Sequence, residues 1–155
     1  MLVRFTKILV LTLTLILFRP AVANSSDMQF NMSISVMTGL VVNTTKNLVF
    51  PDGMITGATQ LLTVAPADAG AAIFSAQGRK NKKVIASIIS GTVLLSATGS
   101  STTLTVDQFT ITGPGNGKLD HSGLATFRVG ARATITPTTE DGDYIGTNTF
   151  RLVYN

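Results

Sequence analysis

Apolar and polar residues alternate with a period of two along most of this chain, the pattern of strands with one buried face. Met28, Phe30, Met32, Ile34 and Val36 alternate with Gln29, Asn31, Ser33 and Ser35. That predicts a strand of about ten residues, roughly 33 Å long. Further strands are predicted at 40–42, 48–50, 60–64, 72–76, 84–89, 93–97, 103–112, 124–136 and 144–154. Turn-forming clusters separate them: Asn43-Thr44-Thr45, Pro51-Asp52-Gly53, Gly113-Pro114-Gly115-Asn116-Gly117 and Glu140-Asp141-Gly142-Asp143. The polar run Gln77 to Lys83 suits a hairpin between two strands. No window beyond the first two dozen residues has a helical period. Many short strands with regular turns predict an all-β, antiparallel β-sandwich, immunoglobulin-like or pilin-like in architecture. The sequence has no Cys and no Trp, so the Cys-Trp-Cys pattern of true immunoglobulin domains is missing.

The closing segment is the most unusual. Gly142, Tyr144, Gly146, Phe150, Leu152 and Tyr154 fall at even spacing and share one face of an extended chain, with Asn148 the polar interruption. Chain termini are commonly polar and frayed. An apolar final strand needs a cover, from its own domain or from another chain.

The front of the chain reads as a secretory signal peptide spanning residues 1–23. Arg4 and Lys7 form a positive region, Ile8 to Phe18 an apolar run too short for a membrane span, and Ala21-Val22-Ala23 a small-residue cleavage site. The mature chain would then be a single domain, 24–155, exported to the periplasm or the cell surface. The chain has twelve basic and eight acidic residues; Arg4, Lys7 and Arg19 lie in the leader, leaving nine against eight, a net charge of +1. With the leader gone, no general electrostatic case for nucleic acid or a membrane surface survives. The absence of Cys excludes thiol catalysis and Cys-based metal sites.

Few residues suggest chemistry. Arg79, Lys80, Lys82 and Lys83 form a basic patch without interleaved aromatics, so it offers charge but no stacking platform. It reads as a solvated hairpin tip that discourages edge pairing, or as a site for an acidic polymer. Glu140, Asp141 and Asp143 could supply oxygen ligands to Ca²⁺, but the spacing is not that of an EF-hand loop, and an exposed turn is the simpler reading. His121 is the sole His, in Asp120-His121-Ser122-Gly123, and sequence-adjacent residues cannot build a Ser–His–Asp triad. No cofactor, resident metal or enzymatic activity is expected.

Two resemblances follow from particular stretches. Leu48-Val49-Phe50 with Gly53, Ala72 to Gly78, Leu119 to Gly130, and Gly142 to Gly146 with the closing strand occur in an order that resembles a bacterial secreted family, domain of unknown function 4402. The closing strand is also similar to that of chaperone–usher pilus subunits, which end in a strand with a penultimate Tyr and a Gly fourteen residues from the end. Tyr154 and Gly142 hold those places. This second resemblance implies a donor arm at 28–37, partners that are other copies or related subunits, a periplasmic chaperone and an outer-membrane usher. The cysteine pair of many such subunits is missing.

Physically, a sandwich lacking one strand exposes a groove and unpaired edges, and a strand from another chain repairs both. Burying Met28, Phe30, Met32, Ile34 and Val36 would contribute on the order of 7–15 kcal/mol before ordering costs. Periodicity does not distinguish pairing within the domain from pairing with a neighbour. The expected function is therefore a secreted, non-enzymatic, fimbrial-type subunit assembling by strand complementation. The alternative is a self-contained binding or adhesin module.

Overall fold

The computed structural model describes residues 31–34, 36 and 38–155. Eight strands and no helix occur among them: β1 (Val41–Lys46), β2 (Gln60–Val64), β3 (Ala72–Gln77), β4 (Val84–Ile88), β5 (Val93–Ser96), β6 (Thr103–Thr112), β7 (Leu124–Ile135) and β8 (Phe150–Tyr154). The chain is therefore all-β, and every strand pair is antiparallel.

β7 organises the larger sheet, whose order is β1-β3-β7-β6-β5. Its first half, Leu124 to Val129, pairs with β3, and its second half, Ala131 to Ile135, pairs with β2 on the same edge. Gly130 sits at the handover. A Cβ there would collide with the Val64 carbonyl and lie 2.8 Å from Pro66 N, so only glycine lets the incoming chain approach. β6 covers the other edge of β7, with a register break between Asp107 and Thr110. Gln108 occupies that break at φ 47°, a bulge that turns Phe109 into the core. Arg132 clamps the sheet's outer face with two 3.0 Å hydrogen bonds donated to Asp107.

The second sheet holds only β4 and β8. A core cluster joins it to the first: Ala76, Val84, Leu119 and Phe127 are buried, with Phe74, Phe150, Leu152 and Tyr154 packed on them. Phe150 stacks on Phe74, ring centroids 4.4 Å apart, and leans on Phe127 at 5.6 Å. Such pairs add about 0.5–1.5 kcal/mol beyond area burial.

Several expectations need correction. The residues flanking Gln77–Lys83 do not form a hairpin, because β3 and β4 belong to different sheets. Asn43-Thr44-Thr45 lies inside β1 rather than ending a strand. Leu48 to Phe50 is not a strand; Val49 N–H donates to Gly70 O at 2.9 Å. The closing strand starts at Phe150 rather than Tyr144, with a single bridge at Ile145 to Ser96 upstream of it. In the predicted 28–36 strand, residues 31–34 and 36 have no regular structure, and Met32, Ile34 and Val36 are 82%, 89% and 82% exposed. Met28 and Phe30, like the proposed signal peptide, lie outside the described residues.

Leu119, 1% exposed, is the largest fully buried side chain among the described residues. Leu119→Ala is expected to lower stability by about 2–5 kcal/mol, read as a shifted urea midpoint with an unchanged slope.

Candidate functional site: an uncovered cleft beside the last strand

In an antiparallel pair, alternate residues aim their backbone groups toward the partner. β8 pairs with β4 so that Val84 faces Tyr154 and Ile88 faces Phe150. The flanking bonds, Asn155 N–H to Lys83 O and Ile89 N–H to Thr149 O, fix the phase. Residues 149, 151, 153 and 155 therefore bond toward β4. Phe150, Leu152 and Tyr154 aim their backbone groups the other way. No described strand pairs with that edge.

At the Phe150 end of this edge opens a cleft of about 820 Å³. Residues 44–53 line one side and 139–150 the other, over inward-facing Leu62, Phe74, Leu95, Val106 and Phe109. Leu48, Phe50, Leu62, Leu95 and Phe109 pack on the buried Val106, Ala131 and Ala133, yet all five stay only partly buried. Large apolar groups of a finished core are usually fully covered. Here the inner face of the larger sheet is covered by β4 and β8 at one end and left half open at the other.

The segment before β8 is held extended without being a strand. Asn148, the polar interruption of the apolar face, grips the β4–β5 connection: its Nδ2 donates to Ser90 O (2.8 Å) and its Oδ1 accepts from Ser90 N–H (3.3 Å). Tyr144 is half-buried and its hydroxyl lies 2.6 Å from Thr102 Oγ1 and 2.9 Å from Glu140 O, to which it donates. Gly146 has no side chain because Leu95 presses on it, with Cδ2 2.6 Å from where a Cβ would stand. At the far end the Tyr154 hydroxyl accepts the Arg79 N–H (2.7 Å) and donates to Thr38 O (3.0 Å). Phe150, Leu152 and Tyr154 pack inward from β8, while Tyr144 and Asn148, upstream of the strand, act as clips.

The acidic turn does not converge on a metal position. Glu140 accepts from Ser101 N–H (2.9 Å) and Ser101 Oγ (3.0 Å), and among the described residues no three His, Cys, Asp or Glu side chains group to hold an ion. Asp120 accepts the N–H groups of Ser122 and Leu124, both at 2.8 Å, so its turn is self-satisfied beside exposed His121. Arg79, Lys80, Lys82 and Lys83 lie together at the end of β4 near Tyr154. The fold adds Lys118, directly opposite Lys83 in an isolated bridge. No local sequence pattern marks Lys118 for that place. The cleft floor was likewise not singled out, although Leu62, Phe74 and Leu95 stand on the inward phase of their strands.

An antiparallel all-β domain with a half-covered inner face, in which β8 has no partner strand on its second edge among the described residues, is the class of structure in hand. The sequence model described as Domain of unknown function (DUF4402) matches residues 21–154, and the chain belongs to that family. No curated protein and no solved structure matches it.

Two acids are predicted to show in the pH dependence of stability. The Leu124 N–H, with the Ser122 N–H and the positive charge of His121, holds the Asp120 carboxyl below its ordinary range. The Ser100 hydroxyl, then the Ser101 N–H and hydroxyl, do the same for Glu140. A depressed acid contributes stability that is complete above its unfolded-state pKa and disappears as pH falls through the folded value. Thermal midpoints of Asp120→Asn and Glu140→Gln should therefore fall below wild type at neutral pH and converge with it in acid. Separately, Tyr154→Phe should cost about 1–2 kcal/mol by removing both hydroxyl bonds, measured by chemical denaturation.

Proposed function

We propose that this chain is a secreted, non-enzymatic structural subunit that assembles by strand complementation, with 28–36 of one copy as donor and the cleft beside β8 of another as acceptor. The observation that carries the reading is the pairing of a bare β8 edge with a half-covered apolar inner face in one cleft. The domain resembles a β-sandwich from which one strand has been left out. A strand added there would meet the backbone groups of Phe150, Leu152 and Tyr154. Its alternate side chains would reach the partly buried Leu62, Phe74 and Phe109. Met28, Phe30, Met32, Ile34 and Val36 have the matching period. The described members of that set, Met32, Ile34 and Val36, are strongly exposed, as a segment waiting for a partner would be.

Before assembly, the same edge is an aggregation hazard. A periplasmic chaperone lending a temporary strand and an outer-membrane usher exchanging it for the donor would meet that need. The export signal at 1–23 and a location in the periplasm or at the cell surface belong to this reading.

Size-exclusion chromatography with light scattering, on the chain from residue 24 and on one starting after residue 37, tests it. The longer chain should form oligomers that resist SDS. The shorter one should stay a folded monomer and take up a synthetic 28–36 peptide. A stable monomer that unfolds on truncation would instead place 28–36 in its own core and point to a self-contained binding module.

A further inference from the structure

Apart from Lys46, Asp68, Asp107, Arg128, Arg132 and Arg151, the charged residues among 38–155 gather in two clusters toward opposite ends of β7. At the Leu124 end stand Arg79, Lys80, Lys82, Lys83 and Lys118, with Asp120 among them. Four of the five belong to one connector that is locked in place. Gly78 N–H donates to Gly123 O (2.8 Å), Asn81 N–H to Asp120 O (3.0 Å) and Leu119 N–H to Lys82 O (2.9 Å). Asn81 makes the tight turn at φ 58°, a conformation Asn tolerates. Lys83 and Lys118 stand directly opposite each other, which is destabilising for like charges unless something negative faces them. At the Ile135 end stand Asp52, Glu140, Asp141 and Asp143, all exposed and all on the rim of the cleft. The two poles are separated by the length of β7, roughly 36 Å.

The path of the chain gives these poles a direction. Thr38 O is bonded to the Tyr154 hydroxyl, beside Arg79, so the start of the continuously described chain lies at the basic pole. The cleft carries its acids at the opposite pole. We infer that successive copies associate head to tail, the basic pole of the copy that gives its 28–36 segment docking on the acidic cleft rim of the copy that receives it. This rests on the strand-complementation reading and adds its second contact. It also fixes polarity. An arm entering at the acidic rim has residue 36 there and residue 28 toward the basic end, so it runs antiparallel to β8. A head-to-tail contact is heterologous, and it propagates as a fibre unless rotation closes it into a ring.

The charges set the rate and direction of encounter, while the 28–36 strand holds the complex. Opposed charged patches raise association rates by about 10–10³ at low salt, and screening removes much of that above about 0.15 M.

The experiment follows assembly of the chain from residue 24 by light scattering at two salt concentrations. Lys80→Glu/Lys82→Glu and Asp141→Lys/Asp143→Lys should each assemble at least about tenfold more slowly at low salt and lose the salt dependence. In an equimolar mixture of the two variants every alternating junction is complementary, native where Asp141→Lys/Asp143→Lys gives its arm and charge-swapped where Lys80→Glu/Lys82→Glu gives it, so the mixture should assemble faster than either variant alone. Lys80→Glu/Lys82→Glu lacking residues 24–37 should still take up the uncharged 28–36 peptide normally, which also shows that it folds. Native rates and native salt dependence in both variants would overturn the pole contact while leaving strand complementation standing. So would a Lys80→Glu/Lys82→Glu chain that assembles normally but no longer binds an anionic polysaccharide resin, since the basic pole would then serve an acidic polymer. A wild-type chain that neither oligomerises nor takes up the peptide would overturn both.

Discussion

A β-strand carries two rows of backbone hydrogen-bonding groups, and β8 has a partner for one of them. β4 takes the row of residues 149, 151, 153 and 155, and the row of Phe150, Leu152 and Tyr154 points away from β4, with Phe150 on the cleft wall. This asymmetry accounts for much of the remaining structure. With no strand on its second edge, β8 is short. Its upstream continuation is held by single clips, the Asn148–Ser90 pair, the Tyr144 hydroxyl and the Ile145–Ser96 bridge, instead of by a ladder. The large side chains beneath stay half-buried for the same reason, while Leu119, Phe127 and Val84 near the other end are closed over by β4 and β8.

Covering such an edge brings two separable free-energy terms on the proposed reading. The apolar term is short-ranged and proportional to area; it sets how durable a contact is. The electrostatic term is long-ranged and screened by salt; it sets how fast and in which orientation two copies meet. The molecule places residues for each in different regions. The cleft floor is apolar, the acidic cluster stands on its rim, and the basic cluster lies outside it, toward the Leu124 end of β7. On that reading, in which residues 1–23 are removed, a chain of net charge +1 has strong local charge that the net value conceals.

The strands legible in the sequence are β2 to β7, runs of four or more residues rich in Val, Ile, Leu and Thr between turn-forming residues. β2 and β6 have the bounds their patterns predict, and β7 ends one residue early. Periodicity does not report pairing, which explains the misses. Gly142 to Tyr154 alternates except at Asn148, but only Phe150 onward has a ladder partner. Leu48 and Phe50 show the same period over too short a run; they supply side chains to the core without a ladder of their own. The Gln77–Lys83 connector has hairpin composition, yet it crosses between sheets, a choice made by the docking of Leu119 and Gly123 far along the chain. Of the candidate site, the strand and its inward face were readable, as was the basic run. The cleft, the bare edge, Lys118 and the opposition of the two poles exist only once the chain is folded.

Amide hydrogen exchange, read residue by residue on the chain lacking residues 24–37 with and without the 28–36 peptide, tests the central claim most directly. The account predicts that the amides of Phe150, Leu152 and Tyr154 exchange fast in the free domain and become strongly protected with peptide, while those of Arg151 and Val153, already bonded to β4, change little. Equal protection of both sets in the free domain, or no change on adding peptide, would contradict it.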